Sequence, residues 1–281
     1  MKCFEKILVP VDFSINTNVA VKKALEFAIP DVTEIHLLHV YDNKRFMSLT
    51  GITNTISNYS LVSDSNTLMN KLSAQIHTEN RNVKAVIKVI PGKDIQNAII
   101  TESKNINADL IVIGKKNHHT LFPFLNTVIS ANLAEITDCP VLTVKPGSLN
   151  KKIETVVMPV CNSFPNKKMD ILFTLNSKAI LNVHLITILD KDQTPDNHSA
   201  SALLQSIKSI RNKIKCNVQH CTIHSNNKAV ATLRYAEKVN ADILLVSTQT
   251  ETNIPAWISK KEITDIVKPA SQLQVMSIQS N

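Results

Sequence analysis

Glycine is nearly missing from this chain. Its 281 residues hold 4 glycines: Gly51, Gly92, Gly114 and Gly147, all in the first half. Loops that wrap phosphate need backbone that approaches closely or adopts positive φ. The second half therefore lacks the ordinary means of holding one. Aromatic residues are also scarce, at 4%. The core must be built from Ile, Leu, Val and Ala, which suits parallel strands covered on both faces. A surface of stacking aromatics, such as a nucleic-acid binder displays, is not available.

No apolar stretch reaches membrane-spanning length. Ile7-Leu8-Val9 is broken by Pro10 and Asp12, so the amino terminus does not read as a signal peptide. The 5 cysteines (Cys3, Cys139, Cys161, Cys216 and Cys221) are odd in number and show no framework spacing. Reduced thiols in a cytoplasmic protein are the expected state. No nucleophile elbow, zinc-protease helix motif, P-loop, Cys-x-x-Cys pair or Rossmann glycine fingerprint occurs. The net charge is +8, but the lysines stand in scattered pairs such as Lys22-Lys23, Lys115-Lys116 and Lys260-Lys261. That distribution favours a solvated basic surface over a nucleic-acid interface.

What the chain does contain is a repeat. Lys6-Ile-Leu-Val-Pro-Val-Asp12 returns as Thr155-Val-Val-Met-Pro-Val-Cys161, 149 residues on. His36 to Asp42 returns as His184 to Asp190, 148 residues on. Ala108-Asp-Leu-Ile-Val-Ile-Gly114 returns as Ala241-Asp-Ile-Leu-Leu-Val-Ser247, 133 residues on. Val141 to Val144 answers Val275 to Ile278, 134 residues on. Ordered matches at near-constant offsets predict two domains, 1–147 and 152–281, joined by Pro146 to Lys152, with a deletion inside the second.

In the first copy, apolar strands are expected at Lys6–Val11, Glu34–Val40, Val83–Ile90, Ala108–Ile113 and Val141–Lys145. Helices are expected after Ser14 or Asn16, over Leu68–Asn80, from Asp94 through Lys104, and over about 127–137. Residues 42–66 read as a polar loop. The second copy predicts strands near 154–160, 181–189, 215–223, 242–247 and 273–278, and helices near 165–178, 199–213, 227–239 and 259–268. The alternation implies a parallel sheet with helices on both faces. Ligands should meet it beyond the carboxyl ends of strands one and four.

These residues resemble the universal stress protein family. The marks are Lys6-Ile-Leu-Val-Pro-Val-Asp12-Phe-Ser14, Leu37-Leu-His-Val40, Ala108-Asp-Leu-Ile-Val-Ile-Gly114 and Asp138-Cys-Pro-Val-Leu-Thr-Val144. The resemblance implies α/β architecture: two tandem doubly wound five-stranded parallel-sheet domains, strand order 3-2-1-4-5, of the adenine nucleotide alpha hydrolase-like type. It also implies that the two copies pair through their fifth strands, with a homodimer and a regulatory protein partner left open. A membrane or a nucleic acid is not the expected partner.

Some family members bind ATP through a G-x2-G-x9-G-[ST] loop after strand four. By that resemblance Gly114 matches the first glycine, Asn117 falls where the second should be, and Thr127-Val128 where Gly-[Ser/Thr] should be. Asp12 keeps the position that meets the nucleoside, and Val40 fits the one that contacts the base. Thr127 is β-branched and would adopt positive φ only at about 1–3 kcal/mol. Lys115, Lys116, His118 and His119 would place positive charge nearby. In the second copy Cys161 replaces the aspartate, Glu251 would repel phosphate, and Trp257 reads as a packing anchor or an interdomain contact. The implied function is a cytoplasmic, non-catalytic stress-response or signalling module with weak or no ATP binding in the first copy. The alternative is a genuine ATP-binding protein with slow hydrolysis.

Two further groups were weighed. Asp109 and Asp242 read as turn residues rather than catalysts. Cys216, His220, Cys221 and His224 look like metal ligands on paper. Along a strand, at about 3.3 Å per residue, successive members of one face stand roughly 13 Å apart. One zinc ion needs its ligands within about 2.3 Å, so no metal is expected.

Overall fold

The computed structural model describes residues 4–41, 56–115, 130–176, 180–192, 194, 196–248 and 272–280. By compactness the chain divides into Phe4–Val128 and Ile129–Asn281. The sequence repeat ends near 147, so division by contact and division by repetition differ: the last helix and strand of the first copy group with the second unit.

The first unit is built from β1 (Lys6–Val11), α1 (Ile15–Phe27), β2 (Glu34–Tyr41), α2 (Ile56–Glu79), β3 (Lys84–Pro91), α3 (Ile95–Ile106) and β4 (Leu110–Gly114). The strands lie in the order β3-β2-β1-β4. All three pairings are parallel, with Val11 opposite His39, Val40 opposite Ile90 and Ile7 opposite Leu110. Ile7, Leu8 and Val9 are fully buried. A strand with no exposed face needs an unbroken apolar run, and the sequence supplies one.

The second unit holds α4 (Ser130–Thr137), β5 (Val141–Val144), β6 (Thr155–Pro159), α5 (Asn166–Asn176), β7 (Asn182–Leu189), α6 (Asn197–Lys213), β8 (Asn217–His224), α7 (Lys228–Lys238), β9 (Ile243–Ser247) and β10 (Gln274–Ile278). Its strands run β8-β7-β6-β9-β10 in parallel, which is the order 3-2-1-4-5 of the repeat. β5 then lies antiparallel on β10, with Thr143 opposite Val275. Val157, Ile186, Leu233, Leu244 and Val246 close the core beneath α7. Among the described residues no helix is long and apolar enough to cross a membrane.

One prominent departure from expectation is α2. Residues 56–66 read as loop, but the helix begins at Ile56. Its buried positions include Ser65, Met69 and Ile76. These fall at helical spacing, but serine occupies the first of them and hides the stripe from a search for apolar side chains. Residues 42–55, the expected helix at 259–268, and Trp257 lie outside the described residues.

Both copies open strand four with one device. Asn107 (φ 51°) and Asn240 (φ 50°) turn left-handed at the ends of α3 and α7. The next amides close each helix, Ala108 N onto Ser103 O and Ala241 N onto Ala236 O. Asp109 Oδ2 then accepts from Glu5 N and Lys6 N at 3.1 and 3.0 Å. Asp242 Oδ2 accepts from Glu154 N and Thr155 N at 2.9 and 2.8 Å. These carboxylates stitch strand four to the start of strand one, satisfying amides that precede the ladder. The expectation of a structural role for both is met.

Candidate functional site

The carboxyl ends of β1, β2 and β4 carry Asp12, Val40 and Gly114. Each strand ends next to its neighbour, because Val11 is paired with His39 and β1 lies between β2 and β4. The geometry around Asp12 follows from a tight turn. Phe13 takes φ 57°, a costly setting for a bulky residue. Its ring rests on the imidazole of His39 with centroids 4.5 Å apart. The turn brings Ser14 and Thr17 under Asp12. Asp12 Oδ1 accepts from Ser14 N at 3.0 Å, Ser14 Oγ at 2.6 Å and Thr17 Oγ1 at 2.7 Å. Asp12 N in turn donates to Thr17 Oγ1 at 3.0 Å. Ser14 is the N-cap of α1 and accepts from Asn16 N.

Asn16, expected as an alternative cap to Ser14, is not the cap and lies in the first turn of α1. It is 1% exposed and wedged between α1 and β4. Its Nδ2 donates to Ser14 Oγ at 3.1 Å. Its Oδ1 is buried and, among the described residues, has no hydrogen-bond partner. A Cβ added to Gly114 would stand 2.0 Å from Asn16 O and 2.9 Å from Asn16 Cβ. The missing side chain of Gly114 is therefore filled by α1. The signal for this was the Asp-x-Ser-x-Asn-Thr run from Asp12 to Thr17, which is a turn-and-cap pattern as much as a ligand motif.

Val40 is 9% exposed, and a Cβ on Gly92 would come within 3.1 Å of its Cγ1. Gly92 is thus a second close approach at the same end of the sheet. His39 Nδ1 lies 2.8 Å from Val11 O, so it donates and leaves Nε2 as the acceptor. Burial lowers the His39 pKa, against the Val11 carbonyl and the charge of Asp12, which raise it. Burial likewise lowers the Lys115 pKa. The structure brings Asp12, Val40 and Gly114 to one end of the sheet. Asn117, Thr127 and Val128 lie outside the described residues, as do Lys116, His118 and His119.

The corresponding end of the second copy is furnished differently. Cys161 stands in place of Asp12, Pro165 in place of Asn16 and Ser247 in place of Gly114. The helix that follows strand one touches strand four less extensively than in the first unit. Lys168 on α5 is 3% exposed and its Nζ donates to Pro159 O at 2.7 Å, at the carboxyl end of β6. Thr248 Oγ1 donates to Glu135 Oε2, and Gln279 Nε2 donates to Glu135 O at 3.2 Å. Lys167 Nζ lies 2.7 Å from Asp138 Oδ1. Glu135 of α4 thus meets residues that follow β9 and β10, and Asp138 in the turn after α4 meets the first turn of α5.

Cys216, His220, Cys221 and His224 lie in or beside β8, and His184 Nδ1 is 3.1 Å from Tyr235 Oη. Among the described residues no group of three or more His, Cys, Asp or Glu side chains is placed to hold a metal ion.

Comparison with known proteins agrees with this geometry. The profile of the universal stress protein family matches residues 4–145. Universal stress protein MJ0577 of Methanocaldococcus jannaschii is 28% identical over 156 residues, covering 50% of this chain and 95% of that protein. A universal stress protein from Archaeoglobus fulgidus superposes with TM-score 0.71 at 16% identity, covering 98% of this chain and 96% of the other. The cytoplasmic domain of a prokaryotic cation chloride cotransporter superposes with TM-score 0.57 at 12% identity, over 99% and 95% of the two chains. The two superpositions establish the shared fold. The profile match, which spans half of the chain, shows that the chain belongs to the universal stress protein family.

Proposed function

We propose that this chain is a tandem stress-response module, with domains 1–147 and 152–281, that works by binding rather than by catalysis. Its first copy holds ATP weakly or not at all. The observation that carries this reading is the contact of Asn16 with Gly114. An ATP cradle needs donors, and backbone left open by a missing side chain. Here the space beside Gly114 is taken by Asn16, whose buried Oδ1 presents an acceptor, which disfavours an anion. Asp12 has one carboxylate oxygen committed to three donors of its own turn. The residues present fit the adenine nucleotide poorly. The second copy, with Cys161, Lys168 and Ser247 at the corresponding end, holds none.

The antiparallel register of β5 on β10 supports pairing of the two copies through their fifth strands within one chain. Family membership supports a cytoplasmic role through a protein partner.

Thermal-shift titration with MgATP tests the nucleotide reading. A ligand at 100 times its dissociation constant adds about 2.7 kcal/mol of stability. The expected outcome at millimolar MgATP is a shift too small to resolve. Strong stabilisation that is reduced by Asp12→Asn would replace the reading with its alternative, an ATP-binding protein with slow hydrolysis.

A further inference from the structure

The basic residues look scattered along the sequence, but one stretch beside the outer strand β8 carries cations without acids. Between Asp196 and Glu237 the chain contains Lys208, Arg211, Lys213, Lys215, Lys228 and Arg234 and no Asp or Glu. That acid-free stretch forms α6, β8 and the start of α7. All six cations are exposed. Lys213 and Lys215 stand just before β8, and Lys228, whose Nζ is 3.7 Å from Asp190 Oδ2, just after it. β8 is the last strand of its sheet and pairs, among the described residues, only with β7.

β8 also lacks the features that keep an edge strand from pairing. Sheet edges are usually blunted by inserted lysine, proline or a bulge. β3, the outer strand of the first unit, has Lys84, Lys88 and Pro91. Its lysines are paired, Lys84 with Glu34 and Lys88 with Glu102. β8 reads Asn-Val-Gln-His-Cys-Thr-Ile-His, eight residues without charge, proline or glycine. Its outward amides can be assigned. Asn217 N donates to Leu181 O at 2.9 Å and Ser225 N to Leu189 O at 2.8 Å. Odd-numbered amides therefore face β7, and the amides of Val218, His220, Thr222 and His224 face the open side.

We propose that the outer edge of β8 accepts an added strand from an acidic polypeptide segment. Main-chain hydrogen bonds to the even-numbered residues give the pairing, and Lys213 and Lys215 at the start of β8 select a negatively charged segment there, whereas Lys228 at the other end is paired with Asp190. A second copy of this chain is disfavoured, because two such edges would bring like charges together. Nucleic acid is disfavoured because, among the described residues, no exposed Phe, Tyr or Trp accompanies the cations. The inference is independent of nucleotide binding.

Fluorescence anisotropy with the full chain and a labelled eight-residue peptide of alternating Val and Glu tests it. Binding is expected at low salt, weakening about tenfold or more at several hundred millimolar salt. Thr222→Pro removes one outward amide and leaves the β7 ladder intact, and should weaken binding about tenfold, while Thr222→Val leaves it unchanged. The Lys213→Glu, Lys215→Glu double variant should weaken it about as much. A peptide methylated on alternate backbone nitrogens should not bind the unaltered protein, an arm that holds even if Thr222→Pro fails to fold. The proposal is overturned if the peptide does not bind at low salt, or if the methylated peptide binds as well as its parent. It is equally overturned if a single-stranded oligonucleotide of equal charge binds more tightly, or if a dimer forms through β8.

Discussion

Gly114 and Asn16 touch through their backbones: a methyl group on the first would lie 2.0 Å from the carbonyl oxygen of the second. Neither atom belongs to a flexible side chain, so Gly114→Ala must push α1 away from β4. The expected cost is about 2–3 kcal/mol in urea unfolding. In the second copy both partners have changed together, to Ser247 and Pro165, so Ser247→Gly should cost about 1 kcal/mol or less. Equal losses at the two positions would show that the helix-to-strand approach does not differ between copies.

Asp242 is 3% exposed, accepts two amides, and has Lys151 Nζ 2.9 Å from its Oδ1. Asp242→Ala leaves those amides without their acceptor and removes the charge that faces Lys151. It should lower stability by about 3 kcal/mol, since hydrogen bonds to charged groups contribute about 1.5–3 kcal/mol each. Asp109→Ala removes the same pattern from a half-buried site and should cost less. Denaturant midpoints of the two variants measure the difference.

α4 and the turn after it make a half-buried contact with Thr248 after β9 and an exposed one with Lys167 on α5. Lys167 and Asp138 are 38% and 65% exposed at the side chain. A double-mutant cycle on that pair should give about 0.2–1 kcal/mol and shrink with added salt. Glu135→Ala removes the acceptor of Thr248 and should cost more, about 1–2 kcal/mol, with little salt dependence.

Burial keeps the His39 imidazole below its ordinary pKa. The unfolded chain takes up that proton at higher pH than the folded one. Stability is therefore whole above about pH 6.5 and is lost as the pH falls through the lowered native value. The urea midpoint of the parent protein should drop between about pH 7.5 and pH 5.5 by more than that of His39→Gln. Identical pH profiles would remove His39 as a source of acid sensitivity.

The strands were legible because a strand buried on both faces leaves an unbroken apolar run, as at Ile7-Leu8-Val9 and Leu110-Ile-Val-Ile113. A cap was legible where a side chain has one obvious use, as at Asp94, and was left between Ser14 and Asn16 at α1. The early turns of α2 were not legible, because Ser65 occupies a buried helical position without an apolar signature. The candidate cleft was legible only by position. A glycine after strand four marks a close approach, but sequence does not say whether a phosphate or a helix is approaching. In the structure α1 stands against Gly114 through Asn16.

The Asn-Ala-Asp triplets at 107–109 and 240–242 have kept their identity, dihedrals and bonds while the opposite ends of the same strands exchanged nearly every polar group. Ancestry in this chain is preserved at the floor of each sheet, where strands begin, and erased at the rim. Searches for its distant kin will do better with that stapled corner as the anchor than with the glycines that have given similar proteins their signature.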